Sequence, residues 1–279
     1  MGRWRAGIRC QRGALDMLVE QIWTGNSLRN FNYLVACPDT REALVVDPLD
    51  VEKCLAIARE RDWTIKQILN THEHADHTGG NKGVVRATGA TVIAHRNAVT
   101  RIPGVNRGVG AGDLIQVGAT VVLECLDTPG HTMSHICLKS KTEPPALFSG
   151  DTLFNAGVGN CHNGGHPEEL YETFATQIYS LPDNTLIYPG HDYLVNNLEF
   201  TLAREPDNEA ARRLLEEVKD QDPNDALITT IGQEREINTF FRLDNPTVIT
   251  QLQKDFADLG EQPEPRSVFL KLRELRDRW

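Results

Sequence analysis

The chain has no apolar run near the ~18–20 residues a bilayer-spanning helix needs, and its opening segment lacks the apolar core of a secretory signal. Its six cysteines are scattered, with no C-x-x-C pair, so neither a disulfide framework nor a thiolate metal site is expected and the thiols are read as reduced. Cations are in deficit: 29 Lys plus Arg face 39 Asp plus Glu, a formal net charge of -10. That balance disfavours a nucleic-acid or anionic-membrane surface, which needs clustered Lys and Arg. There is no internal repeat and no low-complexity tract, and 40% hydrophobic residues over 279 positions exclude a disordered or fibrous chain. A soluble cytoplasmic protein acting on a small molecule is expected. One stretch runs against the acidic balance: residues 1–16 carry Arg3, Arg5, Arg9 and Arg12 against Asp16 alone. It reads as a flexible extension ahead of Met17, itself an alternative start, and an organelle matrix would be the location if it were a transit segment.

From Met17 to about Phe200, short β-rich runs alternate with Gly, Pro, Asn and Asp turns. Ile68-Leu69, Thr91 to Ala94, Thr120 to Leu126, Ile136 to Leu138, Ala146 to Phe148 and Leu186 to Tyr188 read as buried strands, being short, apolar and partly β-branched. Gly118 suggests a hairpin between Leu114 and Leu126. Val51, Cys54, Leu55 and Ala58 fall at i, i+3, i+4 and i+7, the stripe of a helix packed on a sheet face, and a second helix is expected from Pro167 through Leu170, Phe174 and Ile178. After Phe200 the composition shifts to charged helix formers, so residues 201–279 are expected to form a helical domain. Asn245, Pro246 and Gly260 punctuate a helix predicted over Pro246 to Leu259. A final helix places Val268, Leu272, Leu275 and Trp279 on one face, with Arg273 and Arg276 three apart on another, where their guanidinium groups can converge on one anion.

The chemistry concentrates in Thr71-His72-Glu73-His74-Ala75-Asp76-His77-Thr78-Gly79-Gly80, directly after the Ile68-Leu69 strand. In an extended stretch, side chains at i and i+2 point the same way, so His72 and His74 can bite one metal ion while Asp76 and His77, at the turn, face a second. A strand end also precedes His131, Asp151 and His191. If those ends share one edge, seven ligands meet there. His72, His74 and His131 then serve one ion, Asp76, His77 and His191 the other, and Asp151 bridges them. Each ion keeps an open position, as a hydrolytic site requires, because water held between two cations loses its proton near neutral pH. Without thiolates, zinc, iron and manganese all suit the donors. His95, His135 and His166, lacking such company, read as packed or exposed side chains.

The T-H-x-H-x-D-H-x-G-G run, with T-P-G-H-T (Thr128 to Thr132), G-D-T-L-F (Gly150 to Phe154) and G-H-D-Y (Gly190 to Tyr193), resembles the metallo-β-lactamase superfamily, and within it the glyoxalase II (hydroxyacylglutathione hydrolase) family. The resemblance spans Met17 to Trp279. It implies an α+β protein: an αββα sandwich over 17–200 and a helical substrate-binding domain over 201–279. It also implies a thioester hydrolase for S-acyl thiols such as S-lactoylglutathione, with two divalent metal ions and Asp76 and Asp151 at the catalytic centre. Tyr193 and the basic pair Arg273 and Arg276 match residues that hold glutathione in that family. Where the family has a cation and an aromatic pair after Gly157-Val158-Gly159, this chain has Asn160-Cys161-His162, so Asn160 and His162 are expected at the substrate and the carrier thiol is glutathione or another thiol. The alternative on the same fold is a persulfide dioxygenase with a single iron.

Overall fold

The computed structural model describes residues 17–279; the basic segment 1–16 lies outside the described residues. The first sheet contains β1 (Leu18–Trp23), β2 (Phe31–Ala36), β3 (Glu42–Val46), β4 (Thr64–Asn70), β5 (Thr91–His95) and β6 (Arg107–Val109), paired in that order. The β1-β2-β3 part is antiparallel and the β3-β4-β5-β6 part parallel, with α1 (Val51–Glu60) crossing between β3 and β4. Beyond β4 come the single turn α2 (Ala75–Thr78) and α3 (Asn81–Thr88).

The second sheet contains β7 (Leu114–Val117), β8 (Val121–Asp127), β9 (Ile136–Ser140) and β10 (Ala146–Gly150), followed across a small β11 (Leu153–Phe154) and β12 (Gly157–Val158) ribbon and α4 (Pro167–Thr173) by β13 (Leu186–Pro189). Its order is β13-β10-β9-β8-β7. The expected hairpin is there, with Gly118 at φ +57 and Val117 opposite Val121. The helices α5 (Leu194–Arg204), α6 (Glu209–Val218), α7 (Ile231–Ile237), α8 (Pro246–Asp255) and α9 (Pro265–Arg276) complete the chain.

Side-chain alternation along the strands sets the layers, since successive residues face opposite ways. On β2 and β3, Tyr33, Val35, Leu44 and Val46 enter the core between the sheets, where they meet Leu123, Cys125, Ile136, Leu138 and Phe148. Their neighbours Leu34, Ala36 and Val45 face the opposite way onto Cys54 and Ala58 of α1 and Val84 of α3. On the second sheet, Leu126, Cys137 and Leu147 face outward onto Leu170 and Phe174, and the same cluster takes in Phe240, Val248, Leu252, Val268, Phe269 and Leu272. An apolar face of that kind cannot stay in water, since each buried Leu or Phe contributes ~1.5–3 kcal/mol. The helical segment thus covers the second sheet and shares its core. The result is the expected α+β sandwich with helices on both outer faces and a helical C-terminal region.

Several boundaries differ from the sequence reading. The helix predicted to reach Leu259 stops at Asp255, because Phe256 turns extended (φ -133, ψ 91) and thereby carries both Phe256 and Leu259 into the core. The last helix ends at Arg276, leaving Trp279 51% exposed with its indole N–H on Asn196. Residue 200 lies inside α5, and the segment from Phe174 to Ile178 continues α4 as a wider π-type turn.

Candidate metal centre and adjoining cavity

Because β8 and β10 are each antiparallel to β9, and β13 is parallel to β10, the C-terminal ends of β8, β10 and β13 reach the same edge. The C-terminal end of β4 is tied to that edge by Ile136 N–H donating to Thr71 O at 2.9 Å, and Phe31 N–H donates to Gly190 O at 2.8 Å. All seven expected ligands therefore meet. One set is His72, His74 and His131, another His72, His77 and Asp151, and a third Asp76, His77 and His191, with ligand atoms inside each set within 4.8 Å of one another. Asp151 lies between the halves: its Oδ2 is 3.4 Å from His131 Nε2 and 3.2 Å from His191 Nε2, and its Oδ1 is 3.4 Å from His77 Nε2.

The second nitrogen of each histidine shows which atom is left for a cation. His131 Nδ1 donates to Asn160 O at 2.6 Å, His74 Nε2 to Asn163 O at 3.1 Å, His191 Nδ1 to Leu28 O at 2.7 Å and His77 Nδ1 to the Asp47 carboxylate at 2.9 Å. His72 Nδ1 faces Thr71 Oγ1 at 3.0 Å, and that hydroxyl in turn donates to Asp47 at 2.7 Å. Such partners fix the tautomer, leaving the inward nitrogens as lone pairs. His74 Nδ1 then sits 3.0 Å from both His72 Nε2 and His131 Nε2, and His77 Nε2 3.2 Å from His191 Nε2. Lone pairs crowded this closely need a cation between them. Asp151 Oδ1, buried with no hydrogen-bond partner, makes the same demand, so these residues fit divalent metal binding.

The electrostatics agree. Burial pushes His72 and His131 below the usual histidine range, with neighbouring histidines adding to the effect. Burial opposes ionisation of Asp151, but His191, His77 and His131 outweigh it and hold the carboxyl well below the usual range. Burial likewise opposes a charged His77, yet Asp151 and Asp47 push it well above its ordinary value: the field at that ring calls for positive charge, which a metal ion supplies.

Asp47, Glu73 and His135 adjoin this centre, and the sequence reading gave none of them a role in it. Asp47, at φ +50, accepts from Thr71 N–H at 2.8 Å as well as from His77 and Thr71 Oγ1. A signal existed, since Leu44-Val45-Val46-Asp47 repeats the theme of an acidic residue after a buried strand. Glu73 ties the two ligand loops together, accepting from Thr132 and Ser134 hydroxyls at 3.1 and 2.9 Å and pairing with Arg101. His135 was read as a packed histidine and is fully buried, but its Nε2 accepts the Asp151 backbone N–H at 3.1 Å and its ring stacks on His72. His95, buried, pairs with Asp127 at 2.8 Å, and His166 precedes α4.

Beside the cluster opens a cavity of about 340 Å³ lined by Phe154, Val158, Asn160, His162, Tyr193, Asn196, Arg273, Arg276 and Asp277. Every residue expected at the substrate borders it. Tyr193 stacks flat on His191 with ring centres 4.9 Å apart, and Phe154 meets both rings edge-on, so the cavity abuts the metal centre. Arg276 is held by Asn197 at 3.0 Å, and His162 stands 3.2 Å from Asp277. Arg273 also borders the cavity, is 3% exposed, and donates to Val158 O, Gly159 O and the Asp277 carboxylate.

The metallo-beta-lactamase superfamily model matches residues 28–191, more than half of the chain. Fold and centre together define a metal-dependent hydrolase of that superfamily. The model for the hydroxyacylglutathione hydrolase C-terminus matches residues 192–279. The chain is 65% identical to the hydroxyacylglutathione hydrolase of Polaromonas sp. and 61% identical to that of Nitrosococcus oceani, each over 94% of this chain and 100% of the relative. Among solved structures it resembles ETHE1 from Myxococcus xanthus at 25% identity, with a TM-score of 0.64 over 92% of this chain and 99% of that one. The chain belongs to the hydroxyacylglutathione hydrolase (glyoxalase II) family. No helix among the described residues is long and apolar enough to cross a membrane.

Proposed function

We propose that this enzyme hydrolyses S-acyl thiols of the S-lactoylglutathione type to a hydroxy acid and a free thiol, using two divalent metal ions, zinc by preference over iron or manganese. The observation that carries this reading is the cavity beside the cluster, lined by Tyr193, which stacks on His191, and by Arg276 and His162. A thioester whose acyl carbon lies against the cluster would extend its carrier into that cavity. His72, His74 and His131 would hold one ion, Asp76, His77 and His191 the other, with Asp151 shared. Bound there, the ions supply an acidified water and polarise the thioester carbonyl.

The chain's own groups do the rest. Asp47, Asn160 O, Asn163 O and Leu28 O keep the histidine lone pairs inward, and Asn30 Nδ2 donates at 3.0 Å to Asp76 Oδ2, the oxygen that faces His77 Nε2 at 3.4 Å and His191 Nε2 at 3.5 Å, which orients that carboxylate toward the cluster. Phe154 and Val158 exclude water from one wall of the cavity, while Tyr193, Asn160, His162 and Arg276 offer polar contacts to an anionic carrier, glutathione or another thiol. Residues 17–200 would be the catalytic unit and 201–279 the unit that completes the substrate cavity. The acidic balance leaves a small molecule, rather than nucleic acid or membrane, as the partner. We assign the cytoplasm, in keeping with a 35% identical Arabidopsis thaliana relative named cytoplasmic. The test is S-lactoylglutathione hydrolysis by metal-loaded protein with an oxygen electrode in parallel: thiol release without oxygen uptake is expected, and oxygen uptake on a persulfide would favour the single-iron dioxygenase instead.

A further inference from the structure

We infer that Arg29 and Asp192 are positioning residues for one half of the metal centre, clamping the 24–30 loop whose Leu28 carbonyl orients His191 and whose Asn30 amide orients Asp76. Arg29 stands at φ +59, a left-handed backbone that few side chains adopt without cost, so a tertiary contact has to hold it there. Its guanidinium supplies that contact. Nε donates to Asp192 O at 2.8 Å, Nη2 pairs with the Asp192 carboxylate, and the Asp192 backbone N–H donates back to Arg29 O at 2.9 Å. The guanidinium also lies over the Trp23 ring, 4.8 Å from its centre, and Asp192 is only 6% exposed, so the pair is held against the protein rather than in water.

The clamped loop reaches two ligands of one set. Leu28 O accepts from His191 Nδ1 at 2.7 Å, and Asp192, gripped by Arg29, is the residue directly after that ligand. Asn30 is 1% exposed; its Oδ1 accepts from Asn26 Nδ2 at 2.7 Å, which leaves its Nδ2 to donate to Asp76 Oδ2 at 3.0 Å. Asn26 Oδ1 accepts the Asn30 N–H at 3.0 Å and Thr24 Oγ1 donates to Asn30 O at 2.9 Å, so the loop closes on itself and moves as one piece. Asp76, His77 and His191 form one ligand set, and two of the three thus depend on residues 28–30. In the other set His72, His74 and His131 lean instead on Thr71, Asn163 and Asn160. Loss of the clamp therefore falls on one half of the centre.

The metal arm of this inference rests on the two-metal reading. Arg29→Asn suits the left-handed backbone but lacks the fork that spans the Asp192 carbonyl and carboxylate. Metal-stripped wild type and Arg29→Asn are titrated with zinc against a chromophoric chelator. The ring N–H protons of both stripped proteins are followed by NMR, with the His191 signal assigned by its absence from His191→Gln. Arg29→Asn is expected to bind one zinc equivalent as wild type does and the other ~10-fold or more weakly, the usual cost of losing an outer support of a ligand. The His191 Nδ1 proton, sheltered on Leu28 O in wild type, should be lost to exchange with water in the variant. Two equivalents bound as in wild type, or both weakened alike, overturn the inference, and so does an unaltered His191 proton. Should Arg29→Asn not fold, Asp192→Asn, which removes the charge at the other end of the clamp, is read by the same outcomes. A wild type that takes up a single equivalent defeats the two-metal reading, and the His191 proton still decides this inference.

Discussion

Replacing Glu234 by glutamine should remove a pH-dependent loss of stability from the helical region. Glu234 is fully buried: its Oε2 accepts Ala156 N–H at 2.8 Å and Asn238 Nδ2 at 2.9 Å, and its Oε1 accepts the Thr229 hydroxyl at 2.7 Å. Burial pushes its carboxyl from 4.5 to about 7, against the lowering effect of those three donors. A raised folded pKa means that the stability this group contributes is present below about 4.5 and is lost as pH rises through about 7. With ~1.4 kcal/mol for each unit, the shift from 4.5 to about 7 corresponds to about 3 kcal/mol lost by pH 8. Glutamine can keep its oxygen on Ala156 and Asn238 and turn its amide toward Thr229, without an ionisation to suppress. Urea unfolding of both proteins from pH 5 to pH 8 isolates the effect, because metal loss and other titrations are common to the pair. The difference should grow in favour of Glu234→Gln as pH rises, towards about 3 kcal/mol. Parallel pH profiles for the two proteins would refute the reasoning.

Two substitutions at the metal centre follow from the same geometry. Asp151→Asn weakens the one carboxylate facing both halves of the cluster and should cut kcat by at least the ~10–100-fold that loss of an outer partner costs, measured by thiol release at saturating metal; full turnover would contradict the shared role. Asp47→Asn keeps a residue type that tolerates the φ of +50, yet exchanges an acceptor of three hydrogen bonds for an amide that meets His77 and Thr71 less well. Zinc affinity by chelator competition should fall ~10–100-fold while circular dichroism stays unchanged.

The ligand set was legible because its signal is local: three His and one Asp within six residues, then three more ligands each following an apolar strand. The short apolar runs at Ile68-Leu69, Ile136 to Leu138 and Ala146 to Phe148 likewise read as buried strands, and they lie in the buried parts of β4, β9 and β10. What the sequence did not reveal depends on contacts between distant segments. Asn160 and Asn163 act on His131 and His74 through backbone carbonyls, which carry no residue signature. Arg273 was legible as a cation in a basic helix, but its burial beneath the 158–159 carbonyls is set by how α9 packs on the β11–β12 ribbon. Helix α8 ended early because core packing of Phe256 and Leu259 outweighed the stop signal at Gly260.

We propose that the strand-end histidines and aspartates form one two-metal site for thioester hydrolysis. Its most direct measurement is zinc titration of chelator-stripped protein while S-lactoylglutathione hydrolysis is followed. Activity should be absent in the stripped protein and rise to a plateau at two equivalents of zinc per chain. A plateau at one equivalent, or hydrolysis that survives stripping, would contradict it.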